Sequence, residues 1–373
     1  MLGLPARGAM TVTIHAHAGR DNNFHLIRHA AAAAVVLTHS YSVVTGRFES
    51  EPLVAWFGTS IGLYAVSVFF VLSGFLIAQS LEASADLIRF AVSRMLRIFP
   101  ALMIAVALAS LVIGPLLTQL PAGAYFADPD LARHIVGSLS TLATDHHLPG
   151  LFAALPESGR VNVPLWTLKY EIAAYISLAT IAASALLLGA RFMIWAAGAV
   201  IMGCIVAHAA FPDDEATGSL HNAIHLFLPF YLGVGAYHLR RLIPLTASGV
   251  VLLAGVAVLV APTVLGSVAE SVLIAYSVLW LAFLPGFPTR GLERLGDASY
   301  GIYIYAFPIQ QLLRLLYPGI EPLALFCASL AVTVPLAFAS WHLIEKPCLD
   351  ARGLIVSALR RDRPTPRPGT ARA

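Results

Sequence analysis

Two polar residues in an otherwise apolar stretch have the types and the spacing for acid–base chemistry. Arg28 and His39 are eleven residues apart, and most of the residues between them are alanine or valine. Eleven residues bring an α-helix round three turns with about 20° left over, so both side chains share one face, about 16 Å apart along the axis. An imidazole can accept a proton near neutral pH. The alternative is an arginine that reaches water at a membrane edge and a histidine packed in the core.

A single carboxylate elsewhere in the chain could act together with His39. Glu171 follows Trp166 at the start of another apolar segment, and the helical rise gives it a depth similar to that of His39. A carboxylate at this depth is costly unless it is paired or functional. We therefore predict His39 as the catalytic base and Glu171 as the partner that orients its imidazole.

Three arginines lie within nine residues between two apolar segments: Arg89, Arg94 and Arg97. Such a cluster is a strong indication of a cytoplasmic link between two membrane helices. The cluster could mark the cytoplasmic side of the membrane and have no other role. Because guanidinium groups bind phosphate oxygens in pairs, we predict instead that these arginines and Arg28 form a phosphate-binding group.

The composition of the whole chain is that of a membrane protein. Of its 373 residues, 58% are hydrophobic and 12% are charged, and the mean hydropathy is +0.79. Soluble domains carry about a quarter charged residues, so we predict a protein that crosses the lipid bilayer several times. The three cysteines have no metal-ligand spacing and indicate neither a disulfide framework nor a redox centre. We expect no metal, no permanently bound cofactor and no nucleic-acid partner.

The apolar segments predict an all-α fold with about ten transmembrane helices. Their expected ranges are about 26–44, 60–80, 98–118, 163–188, 192–210, 221–239, 245–260 and 271–284, a ninth from about 296, and 323–343. Arginines collect in the loops on one side of this arrangement, which predicts that both termini are cytoplasmic. We predict a flexible lead at 1–21, a membrane domain at 22–349 and a basic, disordered cytoplasmic tail at 350–373.

Six short motifs follow one another along the chain. They are Asn22-Asn23-Phe24 with Arg28 and His39; Val68 to Ile77, which contains Ser73 and Gly74; Arg94 to Pro100; Pro164 to Leu168, which contains Trp166, with Glu171; Ser299 to Tyr303, which contains Tyr300; and Glu345-Lys346-Pro347. In this order they resemble the membrane acyltransferase 3 family over about residues 22–349. Structural motif roles are assigned to Ser73, Gly74, Trp166, Ser299 and Tyr300, because small residues let helices approach and tryptophan suits the membrane interface.

The resemblance implies a multi-pass protein of the inner (cytoplasmic) membrane that carries out O-acylation. The donor would be cytoplasmic acyl-CoA, usually acetyl-CoA, held by Arg28, Arg89, Arg94 and Arg97. The acceptor would be a hydroxyl of a carbohydrate or other cell-surface molecule, and separate proteins of a polysaccharide assembly system could be partners. Two positions depart from the family pattern: His25 stands where many members have an acidic residue, and Ala306 where many have a histidine.

Two other functions use the same intramembrane polar residues. A transporter or flippase of a lipid-linked sugar could line its pathway with arginine, histidine and glutamate, without any acyl donor. No inverted repeat relates the two halves of the chain, which disfavours this alternative. A third possibility is that the protein is only a structural partner in a polysaccharide assembly complex.

Overall fold

The computed structural model describes residues 12–13, 22–84, 86–142, 147–211, 218–285 and 296–361, and every structural statement below concerns these residues. Most of them are helical. The described strands are β1 (Val12–Thr13) and β2 (Pro244–Leu245), which pair antiparallel. The prediction of an all-α fold is therefore confirmed.

The helices begin with a long first helix and end with a short C-terminal one. They are α1 (Phe24–Thr45), α2 (Val54–Phe57), α3 (Ile61–Ser84), α4 (Leu87–Leu108), α5 (Gly114–Leu117), α6 (Ala122–Ala127), α7 (Pro129–Ser140), α8 (Leu168–Leu188), α9 (Arg191–Ala210), α10 (Gly218–His238), α11 (Ala247–Val260), α12 (Gly266–Phe283), α13 (Ser299–Leu316), α14 (Pro322–Ser340), α15 (Lys346–Asp350) and α16 (Arg352–Arg361). The π-helical turns Ala109–Ile113 and Trp341–Glu345 extend α4 and α14, and short 3-10 helices occupy Phe48–Ser50 and Val163–Thr167.

Six stretches of the described chain are long and apolar enough to cross a membrane. They are Ile61–Ser84, Leu87–Leu117, Val163–Leu188, Arg191–Ala210, Gly266–Phe283 and Pro322–Arg360. The protein is therefore a multi-pass membrane protein. Every predicted span has a helical counterpart, but α1, α10, α11 and α13 fall outside this set. The count of about ten spans and the cytoplasmic side of both termini stay predictions.

The third predicted helix begins eleven residues earlier than the sequence indicated. It starts at Leu87, where the Asp86 side chain accepts a hydrogen bond from the backbone N–H of Arg89 (3.1 Å), and Pro100 lies inside it. The prediction that the three arginines lie in a link is wrong, because membrane helices tolerate an interior proline. As a consequence, Arg94 and Arg97 are three residues apart on one helix face, while Arg89 points elsewhere.

The closest helix contact is the crossing of α3 and α10, which two glycines make possible. A Cβ on Gly74 would lie 1.9 Å from the backbone oxygen of Phe230. A Cβ on Gly233 would lie 2.2 Å from the backbone oxygen of Val71. Because both obstructions are main-chain atoms, no side-chain rotation relieves them. Close packing of two helix backbones is the kind of structural role predicted for Gly74, which stays a prediction.

We expect Gly74→Ala to destabilise the protein by about 1–3 kcal/mol, because the added methyl group forces α3 and α10 apart. The measurement is thermal unfolding of the purified protein in detergent. Gly198→Ala is the matched control, since a Cβ there meets no atom within 4 Å. Equal melting temperatures for Gly74→Ala and the parent protein would show that the two helices can separate without cost.

The C-terminal segment was predicted to be disordered, but its described part is helical. Helix α16 lies against the first turns of α4, and residues 362–373 fall outside the described residues. Two of the arginines on the side predicted to be cytoplasmic, Arg290 and Arg294, also lie outside the described residues, as do the acidic residues at 213–215. Helix α1 packs against α3, α13 and α14, and this group carries the site.

Candidate functional site

A narrow cavity of about 100 Å³ lies where α1, α3, α4, α8 and α13 meet. We call it the arginine cavity. Its polar lining is Arg28, Ser73, Arg94, Arg97, Thr167, Glu171, Tyr175, Ser299, Tyr300 and Tyr303. The structure thus brings together Arg28, Arg94 and Arg97 from two helices that are distant in sequence, as the phosphate-binding prediction requires.

Two of these arginines pair with buried carboxylates, one just before α13 and one just after α14. Asp297 Oδ2 accepts from Arg28 Nη1 (2.7 Å) and from Arg97 Nη2 (2.8 Å). Arg97 Nη1 also donates to Glu345 Oε2 (3.1 Å). Burial alone would raise the pKa of Asp297, but Arg28 and Arg97 outweigh it and hold that pKa well below its usual range. The four side chains form one ion-pair network that ties α1, α4 and the start of α13 together.

The motif residues at the start of α13 complete this network. Ser299 Oγ donates to Asp297 Oδ1 (2.5 Å), which fixes the carboxylate. Tyr300 donates its hydroxyl to the Ile98 carbonyl (2.9 Å). The guanidinium of Arg97 lies over the rings of Tyr300 (5.8 Å) and Trp341 (5.3 Å), a cation–π arrangement. Ser299 and Tyr300 therefore position Arg97 and its partners.

Arg94 is the arginine of this cavity that makes no ion pair among the described residues. Its guanidinium lies 5.9 Å from the ring centroid of Tyr175, and its Nε is buried without an acceptor. Glu171 accepts a hydrogen bond from the Tyr175 hydroxyl, one helical turn further along α8. Arg94 is thus available for an anionic ligand, and its charge acts on Glu171 across the cavity.

Arg89 does not line the arginine cavity. It is exposed on α4 and lies against α16 instead. The prediction that Arg89 acts in one group with the other three arginines is therefore not supported by its position, because five residues of helix turn it away from Arg94.

His39 lies in a second, wider cavity of about 430 Å³. We call it the histidine cavity; it is lined by Thr38, His39, Phe48, Glu49, Ser60, Val66, Val163, Trp166, Asn222 and Tyr303, among others. The imidazole is 7% exposed and packs edge-on against Phe48 (5.6 Å) and Phe307 (5.2 Å). Its Nδ1 is buried and has no hydrogen-bond partner among the described residues. Trp166 lines this cavity and contacts Tyr170 edge-on (5.7 Å).

A buried carboxylate is bound to Thr38, one of the residues that line the histidine cavity. Glu51 is 2% exposed; its Oε2 accepts from Thr38 Oγ1 (2.5 Å) and its Oε1 from the backbone N–H of Ile61 (2.9 Å). The N-terminus of α3 is the positive end of its helix dipole, which favours a carboxylate at the first turn. Glu51 therefore anchors the segment between α1 and α3 beside His39.

The predicted contact between His39 and Glu171 does not form in this structure. Glu171 hydrogen-bonds Tyr175 and lines the arginine cavity, whereas His39 lines the histidine cavity. Similar depth was the only argument for pairing them, and the rotation of α8 turns Glu171 to a different neighbour. The two cavities nevertheless adjoin, since Val66 and Tyr303 line both. Tyr303 is held there by hydrogen bonds of 2.7 Å to the Pro164 carbonyl and to Thr167 Oγ1.

Sequence reasoning missed three residues of the site: Asp297, Glu345 and Tyr175. Asp297 and Glu345 stand within or beside quoted motifs, at the ends of apolar helices, where an acidic residue needs a cationic partner. Tyr175 follows Glu171 by four residues, the spacing that places two side chains on one helix face. Among the described residues no group of three or more histidine, cysteine or acidic side chains could hold a metal ion.

Comparisons with known proteins agree on one relationship. Residues 21–342 match the family model Acyl_transf_3, described as an acyltransferase domain. The O-acetyl transferase of Shigella phage Sf6 is 29% identical over 340 residues, which cover 88% of this chain and 96% of that protein. Nodulation protein 10 of Rhizobium leguminosarum bv. viciae is 28% identical over 377 residues, covering 91% and 96% respectively. No solved structure matches the chain.

Proposed function

Because this chain belongs to the acyltransferase 3 family and is an acyltransferase, we propose that it transfers an acyl group, usually acetyl, from acyl-CoA to an acceptor hydroxyl. In this proposal the protein lies in the inner (cytoplasmic) membrane with its donor site on the cytoplasmic side. The acceptor is a carbohydrate or other cell-surface molecule that approaches from the opposite side. Separate proteins of a polysaccharide assembly system would supply or use that acceptor.

The observation that carries this proposal is the pair of adjoining cavities. The arginine cavity offers an unpaired guanidinium, Arg94, for the anionic donor. The histidine cavity offers an imidazole and is the wider of the two, at about 430 Å³. Because Val66 and Tyr303 belong to both, a thioester entering from the first cavity can meet a hydroxyl in the second.

The chemistry assigned to His39 is general-base catalysis. The acceptor oxygen forms a bond to the acyl carbonyl carbon, and His39 takes the hydroxyl proton as this bond forms. The carbon–sulfur bond then breaks, and the coenzyme A thiolate receives the proton. Glu171 acts from the arginine cavity, on the donor side, and does not orient the imidazole.

The proposed donor role of Arg28 gives a prediction that separates the effect of its planar guanidinium group from the effect of its charge. Arg28 donates one N–H to Asp297, and its Nε has no partner among the described residues. Lysine keeps the charge and the ion pair but loses the planar fork. We expect Arg28→Lys to weaken acyl-CoA binding about tenfold, the effect of one charge-assisted hydrogen bond, without unfolding the protein. Isothermal titration with acetyl-CoA measures this.

Arg191→Lys is the matched control for this variant, because Arg191 is exposed and lies in neither cavity. It should bind acetyl-CoA like the parent protein. If Arg28→Lys also binds like the parent, Arg28 serves only the ion-pair network.

The experiment that tests the proposed function is direct. Purified protein in lipid nanodiscs is titrated with acetyl-CoA and with coenzyme A, and release of free thiol is followed with and without a carbohydrate acceptor. Saturable binding and acceptor-dependent thiol release support the proposal. A protein that binds neither ligand, and releases no thiol, uses a different acyl donor.

A further inference from the structure

A second basic cavity, of about 320 Å³, lies between the start of α4 and the C-terminal helix α16. We call it the α16 cavity. Its charged and polar lining is Asp86, Arg89, Arg352, Ser357 and Arg360. None of these side chains belongs to the arginine cavity or the histidine cavity.

Specific contacts hold α16 in place over α4. Arg360 Nη2 pairs with Asp86 Oδ2 at 2.6 Å, and Arg352 Nη1 donates to Ser93 Oγ at 3.3 Å. Val356 is 8% exposed and packs beneath them. Asp86 is also the N-cap of α4, so the pairing joins the two helices at a fixed point. The arginines are thereby positioned before any ligand arrives.

The charges of this cavity do not balance. Asp86 neutralises one guanidinium, that of Arg360. Arg352 makes its hydrogen bond to a neutral hydroxyl, and the exposed side chain of Arg89 makes no ion pair among the described residues. Two guanidiniums with free N–H groups beside a serine hydroxyl are suited to a doubly charged phosphate monoester.

We propose that the α16 cavity binds the 3′-phosphate of the coenzyme A nucleotide. This inference rests on the proposed use of acyl-CoA as donor. Arg89 precedes Arg94 by five residues of the same helix, about 7.5 Å along the axis. Arg89 and Arg94 point to different sides of α4, so the rest of a donor whose nucleotide is bound at the start of α4 passes round this helix to reach Arg94 and the arginine cavity. The C-terminal helix becomes part of the donor site.

An anionic lipid headgroup presents the same phosphate chemistry, and α16 also carries exposed leucines, Leu354 (75%) and Leu359 (50%). The experiment must distinguish these two sources. It therefore compares acetyl-CoA with 3′-dephospho-acetyl-CoA, which differ only in the phosphate in question, and it is carried out with the full chain in nanodiscs of zwitterionic lipid.

The variants are Arg89→Ala, Arg352→Ala and the conservative Arg352→Lys. The Arg89 side chain makes no hydrogen bond or ion pair within the described part of the chain, so Arg89→Ala keeps the test valid if loss of Arg352 loosens α16. Arg241→Ala is the matched control, since Arg241 is exposed and lines a different cavity. We expect the parent and Arg241→Ala to bind the dephosphorylated donor about tenfold more weakly than acetyl-CoA. Arg89→Ala and Arg352→Ala should bind both donors equally weakly, and Arg352→Lys should recover part of the difference.

Three results would overturn the inference. The parent protein could bind both donors with equal affinity, or its preference could persist in Arg89→Ala and Arg352→Ala. Alternatively, the variants could keep the donor preference but lose the binding of an anionic lipid added to the zwitterionic nanodiscs, which would assign the cavity to a lipid headgroup. Failure to bind either donor is a different outcome, since it contradicts the use of acyl-CoA itself.

Discussion

His39→Ala is expected to reduce acyl transfer by about 10²–10⁴-fold, the usual contribution of a positioned general base. The imidazole lines the histidine cavity, outside the arginine cavity where the donor is proposed to bind, so acetyl-CoA affinity should stay within about twofold of the parent value. The measurement is single-turnover transfer alongside equilibrium binding of acetyl-CoA on the same preparation.

His29→Ala is the matched control for this variant. His29 lies on the same helix, stacks on Phe338 at 6.2 Å and lines neither cavity. It should transfer acyl groups at the parent rate. Parent-like transfer by His39→Ala would remove His39 from the mechanism, and joint loss of binding and transfer would make it a packing residue.

Asp297→Asn should cause the largest loss of stability, about 3–5 kcal/mol, because it leaves the guanidiniums of Arg28 and Arg97 without a shared buried carboxylate. Since the pKa of Asp297 is lowered, the group is ionised at neutral pH, and its stabilising contribution is lost only as the pH falls below the ordinary carboxyl range. The loss should therefore be present already at pH 6 and persist at pH 8. Thermal unfolding in detergent at both values measures it.

Asp130→Asn provides the comparison with an exposed ion pair. Asp130 and Arg133 are 52% and 62% exposed, so losing that pair should cost less than about 1 kcal/mol. If Asp297→Asn melts at the parent temperature but loses acetyl-CoA affinity, the network serves donor binding and contributes little to stability.

The amino-acid sequence determined the class of protein and predicted its candidate reactive residues. Sparse charge and long apolar segments indicate a helical membrane protein, and each predicted helix has a counterpart, although the third begins eleven residues before its expected start. The common face of Arg28 and His39 follows from helical periodicity alone, which the chain cannot avoid. The order of the motifs was sufficient to indicate the family, and the match of residues 21–342 to the family model confirms it.

The tertiary structure decided which polar groups meet. Depth along a helix is set by counting residues, but the direction of a side chain across the bundle depends on how each helix is rotated against its neighbours. Glu171 therefore meets Tyr175 and the arginine cavity, and not His39. The pairing of Arg28 and Arg97 on Asp297 joins residues up to 269 positions apart, which no local pattern reveals. Helical rotation along α4 separates Arg89 from Arg94, but only the packing of α16 on α4 gives Arg89 its new neighbours.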